Sequence, residues 1–398
     1  MPRESEIPIV SQGASTRFAV RLALFYGATF GMIGTHLPFF TVWLKAVGIE
    51  AWWIGVIGAV PALTRFTILP FVTSAAEKYS LRGALTVTAL ATALGFAVIG
   101  TQHLPLAVLL IYAVTCSMWT PMLPLTDAYA LRGVARFGLN YGPLRLWGSA
   151  AFVVGALACG VLVDVLEARH LIWVIVALGL LAAIASLGLQ PLDRPKAAPT
   201  AVRSASALLR DYGFLAIIVA SALTQGSHAA YYTFASISWQ AAGLGGLTIA
   251  GLWVLGVLAE IVVFALSPRF TLAPALLVVI GALSAVARWV ITAQEPPVAV
   301  LAMVQLAHGL TYGLTQVGTM SLLVRRVPIH MMARGQGYLA ACGGMVSMAA
   351  SILSGMVYAG YGARVYYVMA AMAVVAALIM WFARGSLAHQ PQSVASGG

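Results

Sequence analysis

Along these 398 residues, apolar stretches of about twenty side chains recur twelve times, each bounded by a turn signal or a charge. A hydrocarbon layer about 30 Å thick takes ~20 helical residues per crossing. Lipid offers open backbone groups no water, so a stretch that crosses it must close its hydrogen bonds as a helix. The stretches lie near 18–46, 52–76, 83–101, 105–128, 142–165, 170–190, 212–238, 246–267, 272–293, 297–324, 335–359 and 363–383. Charged residues are 8% of the chain and hydrophobic ones 61%, whereas soluble domains are roughly 25% charged. A water-soluble globular enzyme is thereby excluded. The expected fold class is an all-α polytopic membrane protein of twelve transmembrane helices. Residues 1–16 are polar, with no apolar run leading to a small-residue cleavage site, so the segment reads as a retained cytoplasmic tail.

The net charge of +11 could suggest a polyanion partner, but the basic residues are scattered through short segments between the apolar runs. With the N-terminus inside, sixteen of the 22 Lys and Arg fall on the cytoplasmic side, only Lys45, Arg169 and Arg364 fall outside, and Arg65, Arg145 and Arg288 lie within spans. Basic residues near span ends resist translocation, so the excess maps orientation and no nucleic-acid partner is expected. Both termini are placed in the cytoplasm of a bacterial-type inner membrane. The three cysteines, Cys116, Cys159 and Cys342, sit inside apolar runs and read as small core residues, not as a disulfide framework or a zinc site. No cofactor or metal is expected.

The longest polar connection follows the sixth span and divides the chain into a tail over 1–17, a six-helix bundle over 18–190, a linker over 191–211, a second bundle over 212–384 and a tail over 385–398. The halves repeat in order. Trp43 to Gly48 matches Trp239 to Gly243 with one residue dropped, and Ile54-Gly55 matches Ala250-Gly251. Pro105 to Leu109 matches Pro297 to Leu301, and Gly148 and Gly160 match Gly343 and Gly355. Parallel six-helix repeats about an axis normal to the membrane are the architecture of the major facilitator fold, which binds its solute at the midplane between two pseudo-symmetric bundles.

An ionisable group in the centre of a span costs about 2.5 to 3.5 kcal/mol on insertion scales and normally faces a cavity and a partner. The candidates are His36 in span one, Arg65 in two, Asp127 at the end of four, Arg145 in five, His228 in seven, Glu260 in eight, Arg288 in nine and His308 in ten. Glu260 is the only carboxylate well inside any span. There is no phosphate loop, metal-ligand spacing or nucleophile to accompany the histidines.

Several of these residues also carry a family resemblance. Tyr141-Gly142-Pro143-Leu144-Arg145-Leu146-Trp147-Gly148, with Asp127 eighteen residues before Arg145, resembles the substrate site of the lactose permease branch of the major facilitator superfamily. Glu260, Arg288 and His308, with twenty residues between the last two, resemble that branch's acid, arginine and histidine on spans eight, nine and ten. Phe25-Tyr26-Gly27, Leu37 to Leu44, Gly226 to Phe234 and Trp253 to Ile261 are similar to the phenylpropionate permease subgroup, over nearly the whole chain from Arg17 to Arg384. Three positions depart from the pattern. Thr311 replaces a second carboxylate three residues after the histidine, and His228 and Gly343 stand where the pattern has a paired acid and lysine. The Thr73 to Gly83 segment is a degenerate form of the superfamily's loop between spans two and three.

The resemblance implies a proton-coupled symporter importing a small organic solute by alternating access, an aromatic carboxylate such as phenylpropionate if specificity follows. Burial and a neighbouring arginine act oppositely on a carboxyl group, so Glu260 is expected to carry the proton, switched by its access to Arg288, with His308 setting its position or contacting substrate. A static neutralised cluster holding three helices together is the competing view. Arg145 with Asp127 is expected to hold the substrate, since a guanidinium offers a bidentate fork to a carboxylate. Trp147 is offered as a stacking partner for an aromatic solute, although positions i and i+2 point to different faces. Arg65 is either a second anion contact, a partner of Glu77 or a vestibule residue. His36 and Tyr232, at matching positions of spans one and seven, and His228 are expected to line the cavity. Gly148, Gly160, Gly343 and Gly355 are expected to permit close packing, and Trp43, Trp52, Trp53 and Trp239 to anchor at the interface. A monomer in the bilayer is expected, with protons and a small molecule as partners. The alternatives are a sugar or nucleoside symporter, drug-like efflux and, from another class, a membrane-embedded enzyme or a sensor. An enzyme would need a catalytic cluster near one interface, and a sensor would need a larger soluble output domain than these tails provide.

Overall fold

A computed structural model describes residues 12–78, 80–192, 205–328 and 331–388. The expected first eleven tail residues, most of the linker and the final ten residues lie outside these, as does the Glu77 side chain. Among the described residues every regular element is helical: α1 (Gln12–Ala46), α2 (Ala51–Thr67), α3 (Leu69–Lys78), α4 (Leu81–Ile99), α5 (Pro105–Phe137), α6 (Tyr141–Val165), α7 (Leu171–Leu187), α8 (Tyr212–Gly226), α9 (Ala229–Ala241), α10 (Gly246–Leu266), α11 (Pro274–Thr292), α12 (Val298–Leu306), α13 (Thr315–Arg326), α14 (Met332–Tyr361) and α15 (Val365–Ala388). They form twelve crossings because three spans are broken. Helices α2 and α3 bend by 49° around Ile68, where Pro70 at the second position of α3 cannot supply a backbone donor. Span seven breaks at Ser227 and His228 between α8 and α9. Span ten runs from α12 through a π-helical turn, Gly309–Leu314, into α13.

The two halves meet chiefly through α2 with α14, α6 with α10, and α1 with α9. These contacts concentrate toward the loops at 46–51, 165–171, 241–246 and 361–365. A Cβ on Gly355 would stand 2.9 Å from Gly55 Cα, and one on Gly160 would stand 2.7 Å from the Gly246 carbonyl oxygen, so both crossings need the bare backbone. Ser351 donates to the Gly55 carbonyl at 3.0 Å. Asp164 accepts from Gly246 N–H at 2.7 Å, capping α10 from the opposite half. A single apolar core joins the halves at this end, with Trp43 and Ile57 from one and Tyr231, Trp253 and Trp289 from the other. Toward the opposite ends the first half closes around Phe18, Phe25 and Tyr129, and the second around Phe214, Ile217 and Met380.

That shared core corrects two expected anchors. Trp43 is fully buried and donates to the Arg169 carbonyl at 3.0 Å, and Trp239 is also buried. Proximity to a span end does not set which way an indole faces. Gly343 differs from the other three packing glycines, since nothing lies within 4 Å of where its Cβ would be. Outside the spans, Arg326 forks onto Asp211 at 2.7 and 2.6 Å. Those hydrogen bonds hold the Asp211 carboxyl below its ordinary range while the same carboxylate accepts from Gly213 N–H at the start of α8.

Candidate functional site

Between the halves lies a cavity of about 740 Å³, within the usual range of small-molecule sites. Its first-half wall carries Arg65 from α2, His36 and Phe40 from α1 and Tyr112 from α5. Its second-half wall carries Tyr232 from α9, Tyr312 from the π turn, and amides and hydroxyls from α8, α13 and α14. Arg65 is the only charged side chain in the lining, and no ion pair to it occurs among the described residues.

The His36 ring is held in an aromatic box. Its Nε2 lies 3.1 Å from Tyr112 Oη, and the rings of Trp119 and Phe40 are centred 4.5 and 4.7 Å away. Pro38 marks this stretch of α1, and the recurrence of His36, Phe40 and Trp43 at helical spacing turns all three inward. Tyr232 sits opposite on the cavity wall. His228 does not line the cavity. It is fully buried, because the break between α8 and α9 lets its ring enter the second half, with Nδ1 3.1 Å from the Thr224 carbonyl oxygen and Nε2 3.0 Å from Thr311 Oγ1.

Arg288 is 1% exposed and donates to three neutral acceptors: His308 Nδ1 at 2.8 Å, Gln305 Oε1 at 2.9 Å and Thr311 Oγ1 at 3.1 Å. Its guanidinium also lies 4.7 Å from the Tyr231 ring centroid and 4.6 Å from that of Trp289, a favourable placement for a cation. Since a guanidinium can only donate, His308 Nδ1 must accept, and the imidazole hydrogen is fixed on Nε2. That nitrogen lies 3.7 Å from Glu260 Oε2. Glu260, expected to switch through its access to Arg288, does not touch it in this arrangement: His308 stands between them, and no carboxylate reaches Arg288 within ion-pair distance among the described residues. The physical reason is at Thr311, whose hydroxyl takes the place on Arg288 that a carboxylate three residues after the histidine could have taken. Gly309 makes the approach possible, since a Cβ there would stand 2.5 Å from the Ala259 carbonyl oxygen.

Asp127 and Arg145 do come together, but loosely, at 3.8 Å. The shorter contacts of Asp127 are to Tyr26 Oη at 2.6 Å and Tyr141 Oη at 3.0 Å, and Arg145 stacks over Phe30 at 4.1 Å. Neither lines the cavity. Trp147 is a further correction. It is 62% exposed and shares an apolar outer stripe with Val154 and Val161, facing lipid instead of solute, because two residues along a helix rotate a side chain off the face of Arg145. Sequence reasoning missed Tyr26, Gln305, Tyr112 and Trp119. Gln305 had a signal, an amide one turn before His308 in an apolar run. Tyr26 stood in the resembling Phe25-Tyr26-Gly27 motif without a role assigned to it, and Tyr112 had no signal, being an ordinary residue of an apolar helix.

Known proteins resemble this chain in both sequence and fold. The family model described as MFS_1 like family matches residues 19–369. The chain is 34% identical over 371 residues to the probable 3-phenylpropionic acid transporter of Escherichia coli (strain K12), covering 90% of this chain and 96% of that one. It is 31% identical over 310 residues to the maltose permease of Geobacillus stearothermophilus, covering 76% and 77%. Among solved structures, a mutant form of the nucleoside transporter NupG superposes with a TM-score of 0.83 at 15% identity, covering 92% of this chain and 99% of that one, a likeness of fold.

Proposed function

Because the chain belongs to the MFS_1 like family and is a multi-pass membrane transporter of the major facilitator type, we propose that it imports an aromatic monocarboxylate with a proton by alternating access. The observation that carries this reading is Arg65, the single charged side chain in a cavity otherwise lined by aromatic, aliphatic and neutral polar groups. A guanidinium that faces a cavity and has no ion-pair partner among the described residues is a ready site for a carboxylate, and the ring faces of Phe40, His36 and Tyr112 suit an aromatic body beside it. The 34% identity to a protein named as a probable 3-phenylpropionic acid transporter supports the same class. Arg65 thereby takes the role first expected of Arg145, while Asp127 and Arg145 tie α5 to α6.

Glu260 is the proton carrier in this reading, and His308 is its positioning residue, with a hydrogen held on Nε2 by Arg288. One anion and one proton cross together without net charge, which suits a cavity with a single cation. The boundaries 18–190 and 212–384 serve as two moving bundles, with both termini in the cytoplasm of a bacterial-type inner membrane and one chain as the working unit. The shared core and the α2 with α14 crossing then seal the outer end, and the cavity belongs to an inward-facing state.

A sugar or nucleoside symporter is the second reading, favoured by the neutral hydrogen-bonding groups of the second-half wall and by the maltose permease similarity. Calorimetric titration of the purified protein with 3-phenylpropionate separates the two. Arg65→Gln is expected to weaken binding about 30-fold, equal to ~2 kcal/mol for a lost charge-assisted contact, and Arg65→Lys to recover part of it. Unchanged affinity in Arg65→Gln would remove the anion site and promote the neutral solute.

A further inference from the structure

Polar groups on the second-half wall of the cavity divide into committed and uncommitted ones. Ser221 and Thr319 bond each other, and Ser351 is spent on the Gly55 carbonyl. Among the described residues, the side chain of Gln225 on α8 makes only a 3.4 Å contact from Nε2 to the Tyr312 carbonyl, and its Oε1 is buried without a partner. Gln316 on α13 and Ser347 on α14 line the same cavity and have no side-chain hydrogen-bond partner among the described residues. With Gln336 of α14, which also lines the cavity, three carboxamides and a hydroxyl stand on one wall from three helices, opposite a wall that offers one cation and aromatic faces.

This asymmetry rests on no single side chain. An unsubstituted phenyl ring pressed against those amides would strip their water and return no hydrogen bond, a recurring penalty for buried polar groups. A ring hydroxyl can donate to an amide oxygen and accept from an amide nitrogen at once, so it answers both ends of a glutamine. We propose that the solute is an aromatic carboxylate bearing hydroxyl groups on its ring, read by Gln225, Gln316 and Ser347, and that the unsubstituted acid is the poorer ligand. The proposal rests on the Arg65 carboxylate reading above and adds the chemistry of the opposite end of the solute. Sites built to bond a hydroxyl discriminate against analogues lacking it far more strongly than apolar pockets discriminate by size.

The test is competition by unlabelled acids against labelled 3-phenylpropionate on the purified, detergent-solubilised full chain, using 3-phenylpropionate, 3-(4-hydroxyphenyl)propionate, 3-(3,4-dihydroxyphenyl)propionate and 4-ethylphenol. The dihydroxylated acid is expected to compete at concentrations about tenfold below those of the unsubstituted acid. Gln225→Leu and Gln316→Leu are each expected to compress that ratio to within about threefold. The ratio of two acids in one variant cancels general damage, and the wild-type ratio alone suffices if a variant does not fold. Equal competition by all three acids, or an undiminished ratio in both variants, overturns the proposal while leaving the carboxylate reading intact. Competition by 4-ethylphenol matching that of the acids, or no binding of any acid, overturns both.

Discussion

Glu260→Gln is expected to bring net uptake driven by a pH gradient down to the level of protein-free vesicles while labelled substrate still exchanges with unlabelled substrate across the membrane. Glutamine keeps the size and hydrogen-bonding shape of the protonated acid but can neither release nor take up a proton. The variant therefore imitates the loaded carrier, which reorients in exchange, and lacks the empty ionised carrier needed to return. No substitute is at hand: Asp127 is tied to two tyrosines, and Thr311 stands where the resembling pattern would have offered a second acid. Paired measurements on one reconstitution, initial rates of net uptake and of exchange, check this. Gradient-driven uptake at the wild-type rate in Glu260→Gln would sink the assignment. Loss of exchange together with net uptake would make Glu260 a packing or substrate residue.

Arg288→Met is expected to cut transport by about 100-fold, the penalty for misplacing a reacting group by an ångström or so, yet to leave thermal stability within ~2 kcal/mol of wild type. Opposing terms decide the stability. Losing the guanidinium orphans acceptors on Gln305, His308 and Thr311, each costing about 1 to 3 kcal/mol if left bare. Against that, an arginine that is 1% exposed with its Nε unpaired gives up a desolvation cost of several kcal/mol. The His308 tautomer and the Gln305 amide can also turn to new partners. Methionine fills the same volume between Tyr231 and Trp289 and packs adaptably. What does not survive is the fixed hydrogen on His308 Nε2, because nothing then compels Nδ1 to accept. Thermal unfolding and transport rate per folded molecule, measured together, check the split. A cluster serving only to hold three helices together gives the reverse pattern, with stability falling by about 3 kcal/mol or more and transport per folded molecule intact.

Hydropathy makes the crossings legible because the cost of an open backbone in lipid is indifferent to sequence detail. The ionisable candidates are legible for a similarly blunt reason, since charge in a span is costly enough to be rare. What escapes is direction. Position along a span is all that sequence offers for Trp43 and Trp147, whereas their environments depend on rotation about the helix axis: one turns into the joint core and the other out to lipid. The breaks at Ile68, Ser227 and Gly309 leave hydropathy unchanged, yet the second places His228 beside Thr311 and the third lets span ten touch α10 near Glu260. The order Glu260, His308, Arg288 also depends on a neutral residue, because threonine at 311 leaves the arginine with acceptors and no anion. Arg65 is ambiguous among three roles in the sequence, and only its place in the cavity lining separates it from Arg145.

The most direct measurement is the initial rate of labelled 3-phenylpropionate uptake into proteoliposomes at an external pH near 7, where little of the acid permeates unaided, with protein-free vesicles subtracted. The account predicts that an alkaline lumen speeds protein-dependent uptake, that a protonophore collapses the acceleration, and that the Glu260→Gln vesicles show neither effect. Protein-dependent uptake that proceeds equally with and without the gradient, or no protein-dependent uptake at all, would contradict it.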